Sequence, residues 1–246
     1  MSNYIRWMAV FDVHGDEQDP ESVAKMFEFK EQHWKPHESI HGGDNWNFAA
    51  LRKGADEYDR EKSMKEDYDR GMSFLERFRP KYFCRGNHDE RLWDLAEHGK
   101  GIIKDFAKQG IASIESKLHR VGVNMIPYDS KYGFFQYGRG FNFMHGYSHS
   151  VHCSKEISDG YPGVTLFGHV HAFSSFRTAS FDERIGQAVG CLCDLDMNFE
   201  RSRKAKLKKE NGWAYGIKNT KTGHCQYWLA RKTGDQWILP TDYCTI

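Results

Sequence analysis

The chain has 246 residues, 39% apolar and 15% aromatic, enough for one sizeable packed domain, and this composition excludes wholesale disorder. With 35 Lys and Arg against 34 Asp and Glu, the net charge of +1 excludes a globally basic nucleic-acid coat, though not a local basic patch. No run of about 18 apolar residues exists, so no membrane-spanning helix is expected.

In chain order, Tyr4 to Phe11 is short and mostly apolar and ends abruptly in Asp12-x-His14-Gly15, the pattern of a buried strand feeding a loop. Asp19-Pro20-Glu21 then reads as an N-cap, a proline at the first helical position and an acidic first turn. Val23, Met26, Phe27 and Trp34 continue near helical spacing, and Ser39-Ile40-His41 is a short strand ending at Gly42-Gly43-Asp44. The charged, amphipathic stretch from Ala55 to Phe78 is expected to be one helix. Lys81 to Cys84 is a strand ending in Arg85-Gly86-Asn87-His88-Asp89, followed by helices around Leu92–Leu95 and from Ile102 to Leu118.

Phe141 to Met144 is a strand ending in His145-Gly146, and Val164 to Phe167 is another ending in Gly168-His169-Val170-His171. Shorter strands with turns are expected over 173–189 and 213–239. The alternation followed by consecutive strands predicts an α/β or α+β sandwich, with residues 1–246 forming a single domain. Between the last strand groups, 201–209 carries six basic residues in nine: a solvated face, or a patch that contacts phosphate.

The first thirteen residues include Arg6, Trp7 and Asp12 and show no basic leader with an apolar block, so a cytoplasmic protein is expected. The cysteines fall at 84, 153, 191, 193, 225 and 244 without a CxxC pair, and are read as reduced, buried thiols. The unusual count is histidine, at 13 residues, because imidazole is the commonest metal ligand.

Five strand ends each deliver polar residues: Asp12 and His14, Asp44, Asn87 and His88, His145, and His169 and His171. In open sheets, ligands bind beyond the carboxyl ends of strands, so these groups can converge. Imidazole, carboxylate and amide oxygen without thiolate suit Mn, Fe, Zn, Co or Ni. Glycine beside nearly every one of them permits close turns.

The ordered set DxH, GD, GNH(D/E), H, GHxH over residues 8–171 resembles the calcineurin-like metallophosphoesterase superfamily. That resemblance implies a four-layer αββα sandwich, with two mixed β-sheets flanked by helices. It implies two divalent ions, expected to be manganese. One would be held by Asp12, His14 and His171 and the other by Asn87, His145 and His169, with Asp44 bridging. It further implies attack on a phosphate ester by metal-bridging hydroxide, with His88 as the catalytic histidine beside the departing oxygen. Arg85, on the same strand end, is a candidate phosphate contact.

The protein-phosphatase branch extends its second block to GDxVDRG. Here residues 43–48 read Gly-Asp-Asn-Trp-Asn-Phe, which argues against that branch. Many relatives carry an acid where Asn47 stands, so an amide would have to orient His88. The run 86–93 and Trp213–Gly216 are similar to small phosphoesterases of phages and prophages and to a nuclease-type branch. The expected substrate is therefore a phosphodiester, nucleic acid or nucleotide. The alternatives are a phosphomonoesterase, a non-catalytic metal scaffold, which the presence of His88 disfavours, and a nucleic-acid-binding module using 201–209. Trp46 and Tyr147, close to ligands, are read as base-stacking or, more conservatively, as core or wall residues. His41, His149 and His152 are read as lining the cleft or standing behind the ligands, and the remaining histidines as surface groups.

Overall fold

Side chains of β1 (Tyr4–Val10) alternate between two cores. Trp7 and Ala9, with Phe11 beyond, pack against Tyr137, Phe141, Phe143 and Leu166. Met8 and Val10 pack against Met26, Phe27, Phe29, Phe74 and Phe78. A strand covered on both faces has no polar alternation, which is why this segment reads as a continuous apolar run. The structure, a computed structural model, describes residues 3–129, 131–196, 207–237 and 239. Positions 201–206 of the basic segment, and Cys244, lie outside the described residues.

The other elements in chain order are α1 (Pro20–Glu28), β2 (Glu38–His41), α2 (Glu57–Glu61), α3 (Met64–Phe78), β3 (Tyr82–Cys84), α4 (Asn87–His98), α5 (Gly101–Arg120), β4 (Asn124–Ile126), β5 (Phe134–Gly138), β6 (Phe141–Met144), α6 (Cys153–Gly160), β7 (Gly163–Phe167), β8 (Ser174–Arg177), β9 (Arg184–Ala188), β10 (Gly212–Asn219), β11 (Cys225–Thr233) and β12 (Gln236–Trp237). One sheet has the order β12-β11-β10-β1-β2-β3-β4 and the other β5-β6-β7-β9-β8. In the first, β1 to β4 run parallel and β10 to β12 antiparallel. In the second, β6, β7 and β9 are parallel, with antiparallel strands at both edges.

The sheets face each other across the Trp7–Phe143 core, while α1 and α3 to α5 cover the outer face of the first and α6 that of the second. The expected sandwich of two mixed sheets flanked by helices is therefore present. Among the described residues no helix is long and apolar enough to cross a membrane.

Local signals explain most element boundaries. Asp19 caps α1, accepting from Ser22 N at 2.7 Å, and Pro20 takes the first helical position. The single helix expected over 55–78 is two. Lys62 is extended, and Asp56 and Ser63 each cap a new start, accepting from Asp59 N at 2.9 Å and Glu66 N at 3.2 Å. Short polar side chains offering the backbone a local partner interrupt a pattern that amphipathic spacing alone would continue.

Glu38 ties both sheets together at the end opposite the site. It accepts from Tyr137 Oη at 2.8 Å and pairs with Lys81 and Lys218. Burial pushes this carboxyl up, but those hydrogen bonds and charges outweigh it and hold the group below its usual value. A depressed carboxylate stabilises the fold above its unfolded pKa, and that contribution is lost as pH falls through the folded value. Glu38→Gln should therefore lower the melting temperature at pH 7 and bring it toward wild type below about pH 4, the unfolded carboxyl range. Parallel wild-type and variant melting curves from pH 3 to 7 would contradict this account.

Candidate metal centre

Every parallel strand named above ends at the same edge of its sheet. β1 releases Asp12 and His14, β2 Asp44, β3 Asn87 and His88, β6 His145, and β7 His169 and His171. All of these are buried except Asn87, which is half-buried.

The backbone at this edge is strained. Among the described residues eight non-glycine residues have positive φ. Five of them are Asp12 (52°), His14 (54°), Asp44 (52°), His169 (70°) and His171 (53°). Each such residue costs on the order of 1–3 kcal/mol and persists only where its surroundings over-determine it. Here they do. Val13 N and His14 N both donate to Asp44 O, at 2.9 and 3.0 Å, and Leu192 N donates to Asp12 O at 3.1 Å. His169 N donates to Asp12 Oδ2 at 2.9 Å, and His88 N to Asp44 Oδ1 at 2.8 Å. Two glycines beside these residues are needed for close approach. A Cβ on Gly86 would lie 2.1 Å from Asp44 Oδ1, and one on Gly168 2.4 Å from Asp12 Oδ2.

The donor atoms fall into two groups that share Asp44. His14 Nε2 lies 3.1 Å from His171 Nε2 and 3.8 Å from Asp44 Oδ2, and His171 Nε2 lies 3.6 Å from Asp12 Oδ1. Opposite, His145 Nε2 is 3.1 Å from Asn87 Oδ1 and 3.2 Å from Asp44 Oδ2, and His169 Nδ1 is 2.8 Å from the same Asn87 oxygen. On the far side of its ring, His145 Nδ1 donates to Gly42 O at 3.0 Å, which aims its Nε2 at the cluster.

Burial pushes His14 well down and His169 to about 2, with neighbouring histidines adding, so both rings are neutral and able to coordinate. Burial also lowers His145, but Asp44 and Asp12 overcome it and raise the ring to about 9. Burial lifts Asp12 well above the usual range. Asp44, buried too, is held well below it by His145, His88 and His14. Among the described residues three buried triads have potential ligand atoms within 4.8 Å of one another: Asp44–His145–His169, His14–Asp44–His88 and His14–His171–Cys193. These donors fit divalent ions and could hold them.

His88 sits at the second residue of α4. Its Nδ1 faces two oxygens of Asn47, the side-chain Oδ1 at 2.9 Å and the backbone carbonyl at 3.2 Å. Both are acceptors, so Nδ1 carries the hydrogen and Nε2 the lone pair. Burial pushes the ring down to about 3, with Asp44 opposing and Arg91 adding, so it is neutral at physiological pH.

Arg85 has an acid and a ring beside it: its Nε is 3.3 Å from Glu90 Oε2 and its guanidinium lies 4.6 Å over the Trp93 ring. Trp46 is fully buried between Phe48 and Tyr68 and donates Nε1 to Tyr68 O at 3.3 Å, so it packs the core rather than stacking a base. His41 is likewise a core residue, enclosed by Phe74, Phe78 and Phe83. His149 lies with its ring 4.1 Å from that of His169, and His152 and Tyr147 are exposed.

Three residues at the site are assigned no role by the sequence alone, although Asp89 closes the GNH(D/E) block. Asp89 accepts four backbone N–H groups from the loops carrying Asp44 and Asn87. Arg91 donates to Asn47 O at 2.7 Å. Cys193, beyond β9, brings its Sγ to 3.7 Å from His171 Nδ1, a contact that a lone CxC spacing does not announce. Burial holds its thiol well above the usual value, so it is protonated.

Neither a protein-family model nor a curated protein matches the chain. Among solved structures, it is similar to a conserved uncharacterized protein of Streptococcus pneumoniae TIGR4, described as a predicted phosphoesterase. That likeness covers 98% of this chain and 95% of that one, at 13% identity and a TM-score of 0.39. The functional reading stands on the side chains themselves.

Proposed function

We propose that the chain is a phosphoesterase dependent on two divalent metal ions, of the calcineurin-like type, with manganese as the working pair. The observation that carries the reading is the convergence of Asp12, His14, Asp44, Asn87, His145, His169 and His171 on one buried cluster with Asp44 facing both halves. Asp12, His14 and His171 would hold one ion, Asn87, His145 and His169 the other, and Asp44 both. Bound there, the ions would supply Lewis acidity toward the phosphoryl oxygens and a water of lowered pKa.

The chain's own groups do the rest. Asn47 holds the proton of His88 on Nδ1, so Nε2 begins as an acceptor. It can protonate a departing oxygen only after taking up a proton itself. Asp44 Oδ2, 3.2 Å from His145 Nε2, and Gly42 O, 3.0 Å from its Nδ1, fix the orientation of that ring.

The absence of the Arg-Gly extension after Asp44 favours a phosphodiester, nucleic acid or nucleotide, and a small phage-type or nuclease-type relationship, over a protein phosphatase. The test is hydrolysis of bis-(p-nitrophenyl) phosphate against p-nitrophenyl phosphate with Mn²⁺. Faster diester cleavage is expected. Monoester preference would overturn the diester assignment, and metal-independent inertness toward both would overturn the phosphoesterase itself. By elemental analysis, Asp44→Asn and His169→Ala should each lose at least one of the two ions; both variants retaining a full complement would refute the ligand set.

A further inference from the structure

Among the cations around this edge, the matched ones are easily named. Arg85 faces Glu90, Arg52 pairs with Asp59, and Lys62 pairs with Asp16 and Glu17. Arg91 is different. It is half-buried on α4, three residues after His88 and hence on the same helix face. Its Nη1 donates to the Asn47 carbonyl at 2.7 Å, the oxygen that also lies 3.2 Å from His88 Nδ1. Among the described residues no carboxylate lies within ion-pair distance of its guanidinium.

Burial disfavours its charged form, with Asp44, Asp59 and Asp67 countering only through space. A largely desolvated cation without an acid partner is expensive unless an anion completes it. A guanidinium has five N–H donors in a planar fork suited to two oxygens of one phosphoryl group, and a single carbonyl occupies one of them.

We infer that Arg91, rather than Arg85, is the substrate-gripping cation, binding non-reacting oxygens of the phosphoryl group beside His88. The inference rests on the phosphoesterase reading and adds to it the residue that recognises the anion. Its anchor on Asn47 O couples recognition to the residue that holds the His88 hydrogen on Nδ1 and so leaves Nε2 for the substrate.

The experiment is titration of the Mn²⁺-loaded protein with inorganic phosphate by calorimetry, together with diester kinetics. Wild type is compared with Arg91→Gln, Arg91→Ala and Arg85→Gln. Glutamine retains an N–H donor for Asn47 O but not the charge. Arg91→Gln should weaken phosphate binding about 10- to 100-fold, the worth of a charge-assisted hydrogen-bond pair. It should raise KM more than it lowers kcat, and added guanidinium should restore part of the activity of Arg91→Ala.

If Arg91 only steadied Asn47, kcat would fall with phosphate affinity unchanged, and the inference would be wrong. Loss of phosphate binding in Arg85→Gln but not in Arg91→Gln would also overturn it. Wild-type protein that neither binds phosphate nor hydrolyses either ester would instead refute the phosphoesterase reading, so the two failures are distinguishable. Melting temperatures of the variants show whether each is folded.

Discussion

Replacing His88 with alanine should lower diester turnover by about 10²- to 10⁴-fold, the usual worth of a positioned proton-transfer group, while leaving both metal ions in place. Metal retention is expected because what His88 gives to the ligand set comes from its backbone: its N–H donates to Asp44 Oδ1 at 2.8 Å, and alanine keeps that bond. The ring itself packs edge-on against His14, with centroids 4.6 Å apart, and holds its Nδ1 hydrogen on Asn47. Its position in a triad with His14 and Asp44 offers a second outcome. If His88→Ala loses one ion along with activity, His88 is a ligand rather than the proton-transfer group. If turnover is unchanged, it has neither role. Turnover measured beside elemental analysis separates the three results.

The proposed ligands could be picked out in the sequence because they follow short strands and most stand beside a glycine, two features that local pattern exposes. Their left-handed backbone could not, since Asp12, Asp44 and His169 take positive φ only because hydrogen bonds to other loops hold them there. The same limit applies to Arg91 and Cys193. Neither residue type is unusual in its local segment, and each acquires meaning only when Asn47 and His171 are brought beside it from distant elements. Arg85 shows the converse: its place next to the GNH block suggests a phosphate contact, while Glu90 and Trp93, on the following helix turns, lie against its guanidinium, which the local pattern does not announce.

Errors in the elements have a similar origin. The break at Lys62 depends on two caps, not on hydrophobic spacing. β4 is a three-residue strand without full burial, and α6 has Cys153 and Ile157 as its buried apolar residues, too little periodicity to read. Trp46 and His41 were ambiguous because proximity in sequence to a ligand does not say which face of the loop points inward.

Asp89→Ala should be the most destabilising substitution at the site, by about 3–5 kcal/mol, the cost of breaking a buried charged network by removing one member. One carboxylate oxygen accepts from Asp44 N and Gly86 N, both at 2.9 Å, and the other from Asn45 N and Trp46 N, both at 3.0 Å. The side chain thereby binds the loop leaving β2 to the loop leaving β3, the two segments that carry Asp44 and Asn87. Alanine would leave four buried N–H groups without partners. Burial, with Asp44 adding, raises this carboxyl to about 7, while the amides of Trp46 and Gly86 oppose the rise. The amide donors are thus what make an acid tolerable here at all. Asn is no remedy, because its NH₂ would replace one acceptor oxygen and confront two N–H donors. Both variants should melt roughly 10 °C or more below wild type, given about 2–4 °C per kcal/mol for a chain of this size. Both should also bind metal more weakly, since Asp44 and Asn87 lose their common brace. A melting temperature within about 2 °C of wild type, a shift worth no more than roughly 1 kcal/mol, would show that the loops hold each other without Asp89.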